Sequence, residues 1–390
     1  MPPRNIEQLG QVFTPPQVVA FMLGLCQNSG RILEPSAGDG AFFNPLVARQ
    51  ADCVGVEFDA NVAAPGVQVG DFFDYPLTQQ FDTIIGNPPY VRFQDIAEET
   101  KPKLKSRLFD ARSNLFLFFI EKSVRHLKPG GELVFIVPRE FIKLTSARKL
   151  NAWLAEQGSI THFHETGDTR VFGEHTPNCA IFRFEKGRTD RQMADGRIFT
   201  EVDGQLMFLR GDFNLPFSDV FEVKVGAVSG ADSIFTHPKG NMEFVCSKTG
   251  DTGETRRMFY GVKNAHLAAH KTELLARRVT KFDESNWWLW GRAFPINRLP
   301  RIYVNGRTRR PQPFFLHDCN HFDGAILALF LKNQQISKRE LVECARMLNE
   351  EVDWQQLGFV CDGRFLLTQR SLQTCRLPEK FSCFLPKETV

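Results

Sequence analysis

The 390-residue sequence has no apolar stretch long enough to cross a bilayer. Its longest apolar runs, residues 115–120 and 325–331, fall far short of the roughly 20 residues a span requires. The opening Met-Pro-Pro-Arg-Asn-Ile-Glu carries no apolar signal core, so a non-secreted, cytoplasmic protein with no membrane partner is expected. There are nine cysteines, an odd number, and no Cys-x-x-Cys pair; reduced thiols are expected rather than a disulfide framework. His317-Asp318-Cys319-Asn320-His321 lacks a partner pair at metal-site spacing and reads as a loop, so no metal is expected. Internal repeats and low-complexity linkers are also missing, which excludes a solenoid and a largely disordered chain. What remains is an ordinary globular composition, 42% apolar and 24% charged, long enough for two domains.

The small net charge of +3 hides an asymmetry. Residues 1–186 hold 19 Lys/Arg and 21 Asp/Glu; residues 256–310 hold 13 basic and 3 acidic residues, net +10. Interleaved in that stretch are Phe259, Tyr260, Phe282, Trp287, Trp288, Trp290, Phe294 and Tyr303. Basic residues mixed with aromatics suit a polyanion that also presents flat bases; a solvated basic face over an aromatic core is the structural alternative.

Across the first half, short apolar runs at residues 31–34, 53–57, 67–72, 82–86, 132–138, 160–164 and 179–184 alternate with helical patterns. Thr14 is placed as N-cap of a helix over 15–27, with Gln17 completing a capping box. Further helices are expected over 113–127, stopped by Lys128-Pro129-Gly130-Gly131, and over 140–157. Such alternation predicts an α/β fold, a mostly parallel sheet covered on both faces, with ligands beyond the carboxyl ends of its strands. In the second half, Ser337-Lys338-Arg339-Glu340 reads as a capping box opening a helix to about Glu350.

The predicted strand ends carry chemistry-bearing residues in order. After the first come Glu34-Pro35-Ser36-Ala37-Gly38-Asp39-Gly40, whose glycines permit a tight turn and a close approach to a ligand. The second ends in Glu57, beside Phe58, where a carboxylate can take both hydroxyls of a ribose. The third ends in Asp71-Phe72, an acid and a ring suited to an adenine amino group and its face. The fourth ends in Asn87-Pro88-Pro89-Tyr90. There the prolines fix the backbone. Asn87 and the Pro88 carbonyl can accept from both protons of a planar amino group, localising its lone pair, while Tyr90 stacks on the ring.

On these residues the chain resembles the class I S-adenosylmethionine-dependent methyltransferases, specifically the adenine-N6 DNA methyltransferases with gamma motif order of restriction-modification systems. Phe13-Thr14-Pro15 precedes the Gly-rich segment as that order requires, and residues 130–138 and 171–184 resemble later motifs. The resemblance implies a Rossmann-like seven-stranded methyltransferase sheet over 1–190, then a mixed α+β target-recognition domain over 200–390, the boundary marked by the polar run 186–196. It implies S-adenosylmethionine as cofactor, bound by Phe13, Thr14, Pro15, Glu34, Ser36, Ala37, Gly38, Gly40, Glu57, Phe58, Asp71, Phe72 and Asn87. Catalysis would fall to Asn87, Pro88, Pro89 and Tyr90. Tyr90 and Phe172 would hold a flipped base of double-stranded DNA. Arg256, Arg257, Trp290, Arg292, Arg307, Arg309 and Arg310 would meet the DNA in the second domain. The family also implies a monomer and a cognate restriction endonuclease acting separately.

The absence of a Pro-Cys dipeptide argues against a cysteine-nucleophile route. Three alternatives stay open: the same core acting on RNA or on a protein amide, a cytosine-N4 enzyme, or a non-catalytic DNA-binding protein with a vestigial cofactor site.

Overall fold

The computed structural model describes residues 14–109, 112–166, 178–211, 213–293, 299–361 and 363–386. The chain divides into two compact units, Met1–Arg210 and Gly211–Val390.

In the first unit, α1 (Pro16–Leu25) leads into β1 (Ile32–Glu34), α2 (Phe43–Ala48), β2 (Cys53–Glu57), β3 (Gln68–Val69) and β4 (Phe81–Gly86). Then follow α3 (Leu115–His126), β5 (Leu127–Pro138), α4 (Arg148–Gln157), β6 (Gly158–Glu165) and β7 (Cys179–Lys186). The strands form one seven-stranded sheet in the order β3-β2-β1-β4-β5-β7-β6. Pairing is parallel from β3 to β5, whereas β7 runs antiparallel to both β5 and β6. Strand order reverses between β1 and β4, and such a switch point opens a crevice at the carboxyl edge. The sheet has the expected α/β architecture.

Boundaries differ where local chemistry intervenes. Helix α1 is not capped by Thr14: Pro15, extended because Pro16 follows it, takes the N-cap position without a side-chain bond. The segment Lys128-Pro129-Gly130-Gly131 does not separate α3 from β5; it lies within β5, with a register shift between Phe81 and Thr83. The helix expected over 140–157 starts only at Arg148, after two short 3-10 turns. The hairpin β8 (Ile198–Val202) and β9 (Gln205–Leu209) belongs to the first unit, its Phe208 stacked on Phe163 at 4.2 Å. The division therefore falls at residue 210, beyond the polar run that marked it in the sequence.

A buried polar network knits this sheet. Glu132 Oε1 accepts from the backbone N–H groups of Gln27 and Asn28 and from Thr83 Oγ1. Its Oε2 accepts from Arg183 Nε at 2.6 Å, and Arg183 Nη1 donates to Thr161 Oγ1 at 2.8 Å. Burying two charges is tolerable because nearly every lone pair and proton finds a partner.

The second unit is mixed α+β. A four-stranded antiparallel sheet orders Phe221–Val225, Ile326–Leu331, Arg301–Asn305 and Phe314–Phe315, with the helix Lys338–Glu350 against it. Ser337 caps that helix in the expected box with Glu340, and Cys344, Ala345 and Leu348 are buried. A second core gathers Phe235, Phe244, Met258, Trp287 and Trp290. Among the described residues, no helix is long and apolar enough to cross a membrane.

Candidate active site

The carboxyl ends of β3, β2, β1 and β4 lie side by side in the sheet, so four sequence segments converge on one edge. After β1 the chain turns through Gly38 (φ 52°) and Gly40 (φ 84°). A Cβ on Gly40 would sit 2.6 Å from Asn44 Nδ2 and 2.8 Å from Ala64 Cβ, so the turn accepts no side chain there. Glu34 is 2% exposed. Burial pushes its carboxyl well above the usual range against the opposing pull of the Phe42 and Phe43 backbone N–H groups, and its Oε2 has no partner among the described residues. Glu57 Oε2 accepts from Gly38 N at 2.8 Å and Oε1 from Asp59 N at 2.9 Å, so the β2 carboxylate braces the Gly-rich turn. Burial raises its pKa too. Phe58 beside it stays 39% exposed, an apolar ring open to solvent at the strand end.

Asp71 occupies the end of β3 with most of its acceptor capacity in use. Its Oδ1 accepts from Phe73 N, and its Oδ2 from Thr100 Oγ1 (2.8 Å) and Lys103 Nζ (2.9 Å). Phe72 is displaced from its expected role. At 2% exposure it lies in the core, stacked on Phe119 at 5.1 Å, because the chain turns into a 3-10 segment at Phe72 and swings the ring inward.

At the end of β4, Asn87 Nδ2 donates to Thr14 Oγ1 at 3.3 Å, and the Asn87 carbonyl accepts from Ser36 Oγ at 3.1 Å. The second bond crosses the switch point and ties the Gly-rich turn to the Asn-Pro-Pro-Tyr segment. Pro88 is buried; Asn87, Pro89 and Tyr90 are half-buried. Tyr90 is anchored at its far end, its hydroxyl donating to the Ile136 carbonyl at 2.9 Å, with the Phe116 ring edge-on at 6.1 Å. Burial lifts its hydroxyl well above its ordinary pKa, so this ring offers a surface rather than a base. Sequence reasoning gave Thr14 as a helix cap and a cofactor-binding residue and missed it as a partner of Asn87, 73 residues away. It also missed Thr100 and Lys103, which no local pattern links to Asp71.

Residues 58–172 match the Eco57I restriction-modification methylase family.

The chain is also similar to the Type II methyltransferase M.HincII of Haemophilus influenzae, 34% identical over 189 residues, covering 46% of this chain and 38% of the relative. The Type II methyltransferase M.TthHB8I of Thermus thermophilus is 36% identical over 226 residues, covering 52% of this chain and 51% of the relative. The chain thus spans about half, or less, of the curated relatives it matches. Among solved structures, a type I restriction-modification methyltransferase subunit from Streptococcus thermophilus is similar over 50% of each chain, at 18% identity and TM-score 0.37.

The expected DNA-facing residues of the second unit scatter. Trp290 is 7% exposed; it stacks on Phe244 at 4.7 Å and donates from Nε1 to the Phe259 carbonyl at 2.9 Å. It is a core residue because three aromatic rings and a carbonyl enclose it. Arg256 lies between Asp232 (3.3 Å) and Asp323 (3.4 Å), and Arg257 pairs with Glu243 at 2.5 Å, so both positive charges are already matched. Arg310 lies over Phe315 with Asp251 at 3.9 Å. Arg292, Arg307 and Arg309 are exposed. Phe13, Phe172 and Phe294 lie outside the described residues.

Proposed function

We propose that the protein is a DNA methyltransferase of the restriction-modification kind that methylates the N6 amino group of an adenine flipped out of duplex DNA. The observation that carries this reading is the Asn87–Tyr90 segment, seated at the switch point and joined through Ser36 to the Gly-rich turn.

The residues present fit S-adenosylmethionine. The turn takes positive φ at both Gly38 and Gly40, a path that brings backbone rather than side chain toward a ligand, the buried Glu34 Oε2 lacks a partner among the described residues, and Phe58 offers an open ring. Glu57 would take the ribose hydroxyls on its remaining lone pairs. Asp71 has one lone pair left on Oδ1 for an adenine amino group, and Thr14, Pro15, Ser36 and Ala37 complete the wall. When bound, the cofactor supplies an electrophilic sulfonium methyl.

The chain's own residues prepare the acceptor. A target base must leave the stack, since its amino group is unreachable inside the duplex. Tyr90 stacks on the base. Thr14, by accepting one Asn87 amide proton, turns the amide oxygen toward the base, where it and the Pro88 carbonyl accept the two N6 protons. That raises lone-pair density on N6 and aims it, which is catalysis by positioning and electrostatics. No covalent enzyme intermediate and no strong base are required, because the methylated nitrogen is acidic and gives up its extra proton to water, in keeping with the suppressed acidity of Tyr90. A monomeric, cytoplasmic enzyme with a separate restriction endonuclease completes the proposal.

The test offers tritiated S-adenosylmethionine with unmethylated DNA, RNA or protein to the wild type and to Asn87→Ala. Label entering DNA only, and only with the wild type, is expected. Label in RNA or protein instead, or equal labelling by both proteins, would sink the reading.

A further inference from the structure

Arg277 is buried, 8% exposed, yet no carboxylate meets its guanidinium among the described residues. Its donors go to four carbonyls: Nε to Leu274 (2.8 Å), Nη1 to Ser229 (2.5 Å), and Nη2 to Trp287 (2.6 Å) and Leu289 (3.0 Å). The Phe282 ring lies 3.7 Å from the guanidinium carbon. Burial lowers its pKa only to about 10, so it remains charged at neutral pH. One side chain thus clamps the end of the short helix Lys271–Leu275 to two loop segments, and a two-way backbone pair between Val228 and Arg292 closes them (2.9 and 3.1 Å).

The clamp presents an unusual surface. Val279 rests on two glycines: a Cβ on Gly230 or Gly291 would lie 2.5 or 2.6 Å from its side chain. It is nevertheless 43% exposed, and Leu289 is 39% exposed. Around them Arg278, Lys281 and Arg292 are exposed. Of the nearby acids, Glu284 pairs with Lys271, and Asp283, which accepts from the Ser285 N–H and hydroxyl, keeps its charge beside Lys281, leaving a net positive rim. A rigid apolar centre with a cationic rim, over a buried uncompensated charge, complements a polyanion with an apolar interior.

We propose that the tip formed by residues 228–230, 277–282 and 287–292 is a contact surface for duplex DNA. Val279 and Leu289 lie against sugar and base edges in a groove, Arg278, Lys281 and Arg292 reach the flanking phosphates, and Arg277 holds the tip in shape. The proposal rests on DNA being the substrate, as proposed above.

Anisotropy of a short labelled DNA duplex titrated with the full chain at several salt concentrations tests it. In the triple variant Arg278→Gln, Lys281→Gln, Arg292→Gln, binding weakens and the slope of log affinity against log salt falls by about 3, near one for each phosphate no longer neutralised. The pair Val279→Ser, Leu289→Ser weakens binding and keeps the slope. Arg277→Met loses both, and circular dichroism checks its folding; the surface variants carry the test without it. A triple variant with wild-type affinity and slope overturns the proposal. Methyl transfer to unmethylated plasmid by the wild type is read separately. Tip-dependent binding without transfer contradicts the methyltransferase reading alone, and transfer with tip-independent binding contradicts the contact surface alone.

Discussion

Asn87 is held from two directions, its amide donating to Thr14 Oγ1 and its carbonyl accepting from Ser36 Oγ. Asn87→Ala should therefore lower kcat about 100-fold or more, the scale seen when one stabilising dipole is removed, with the unfolding temperature unchanged. Thr14→Val should cost about 3- to 10-fold in kcat, the worth of one net hydrogen bond, in single-turnover kinetics at saturating cofactor. A wild-type rate in that variant would show that Thr14 does not orient the amide. His126 makes a different prediction. It is fully buried, Nδ1 bonded at 2.8 Å to the Gln79 carbonyl, and burial lowers its pKa from 6.5 to about 4. The unfolded chain then binds the proton more readily, so the contribution is complete above pH 6.5 and is lost as pH falls toward 4. Chemical denaturation should find the first unit about 2 kcal/mol weaker at pH 5 than at pH 7 from this group. His126→Leu should flatten that part of the profile.

Among the elements, those ending at the site were the most legible, for a physical reason. Strand β1 is buried throughout, β4 is buried at all but Asp82, and β2 is half-buried, and their short apolar stretches stop at Glu34, Gly86 and Glu57. Where a residue has two uses, the local pattern misleads. Thr14 has the chemistry of a cap but serves Asn87, and Phe72 has the look of a ligand platform but fills the core. Long-range pairing was invisible: nothing near Glu132 in sequence announces Arg183, 51 residues away. Removing one partner of that pair leaves a buried charge, so Arg183→Met should destabilise the first unit by about 3–5 kcal/mol, whereas adding Glu132→Gln, which removes the charge but keeps an acceptor for the Gln27 and Asn28 N–H groups, should recover most of it. Equal losses in the single and double variants, read by denaturant melts, would contradict this. At the Gly-rich turn, Gly40→Ala meets both an unfavourable φ and Asn44. Cofactor affinity measured by calorimetry should drop by about tenfold or more, given the 1–3 kcal/mol of such strain.

For the whole molecule, the charge asymmetry keeps its location but changes its meaning. Of the 13 basic residues between 256 and 310, Arg277 and Arg301 are buried on carbonyls, and Arg256 and Arg257 are matched by acids. Counting residues could not separate structural arginines from exposed ones, because both have the same composition and differ only in what surrounds them. The proposal assigns methyl transfer to the first unit and target contact to exposed parts of the second. The most direct measurement digests wild-type-treated unmethylated DNA to nucleosides and separates them by liquid chromatography with mass detection. N6-methyldeoxyadenosine from the wild type, and none from Asn87→Ala, is the predicted result. N4-methyldeoxycytidine, or no methylated nucleoside with cofactor bound, would contradict it.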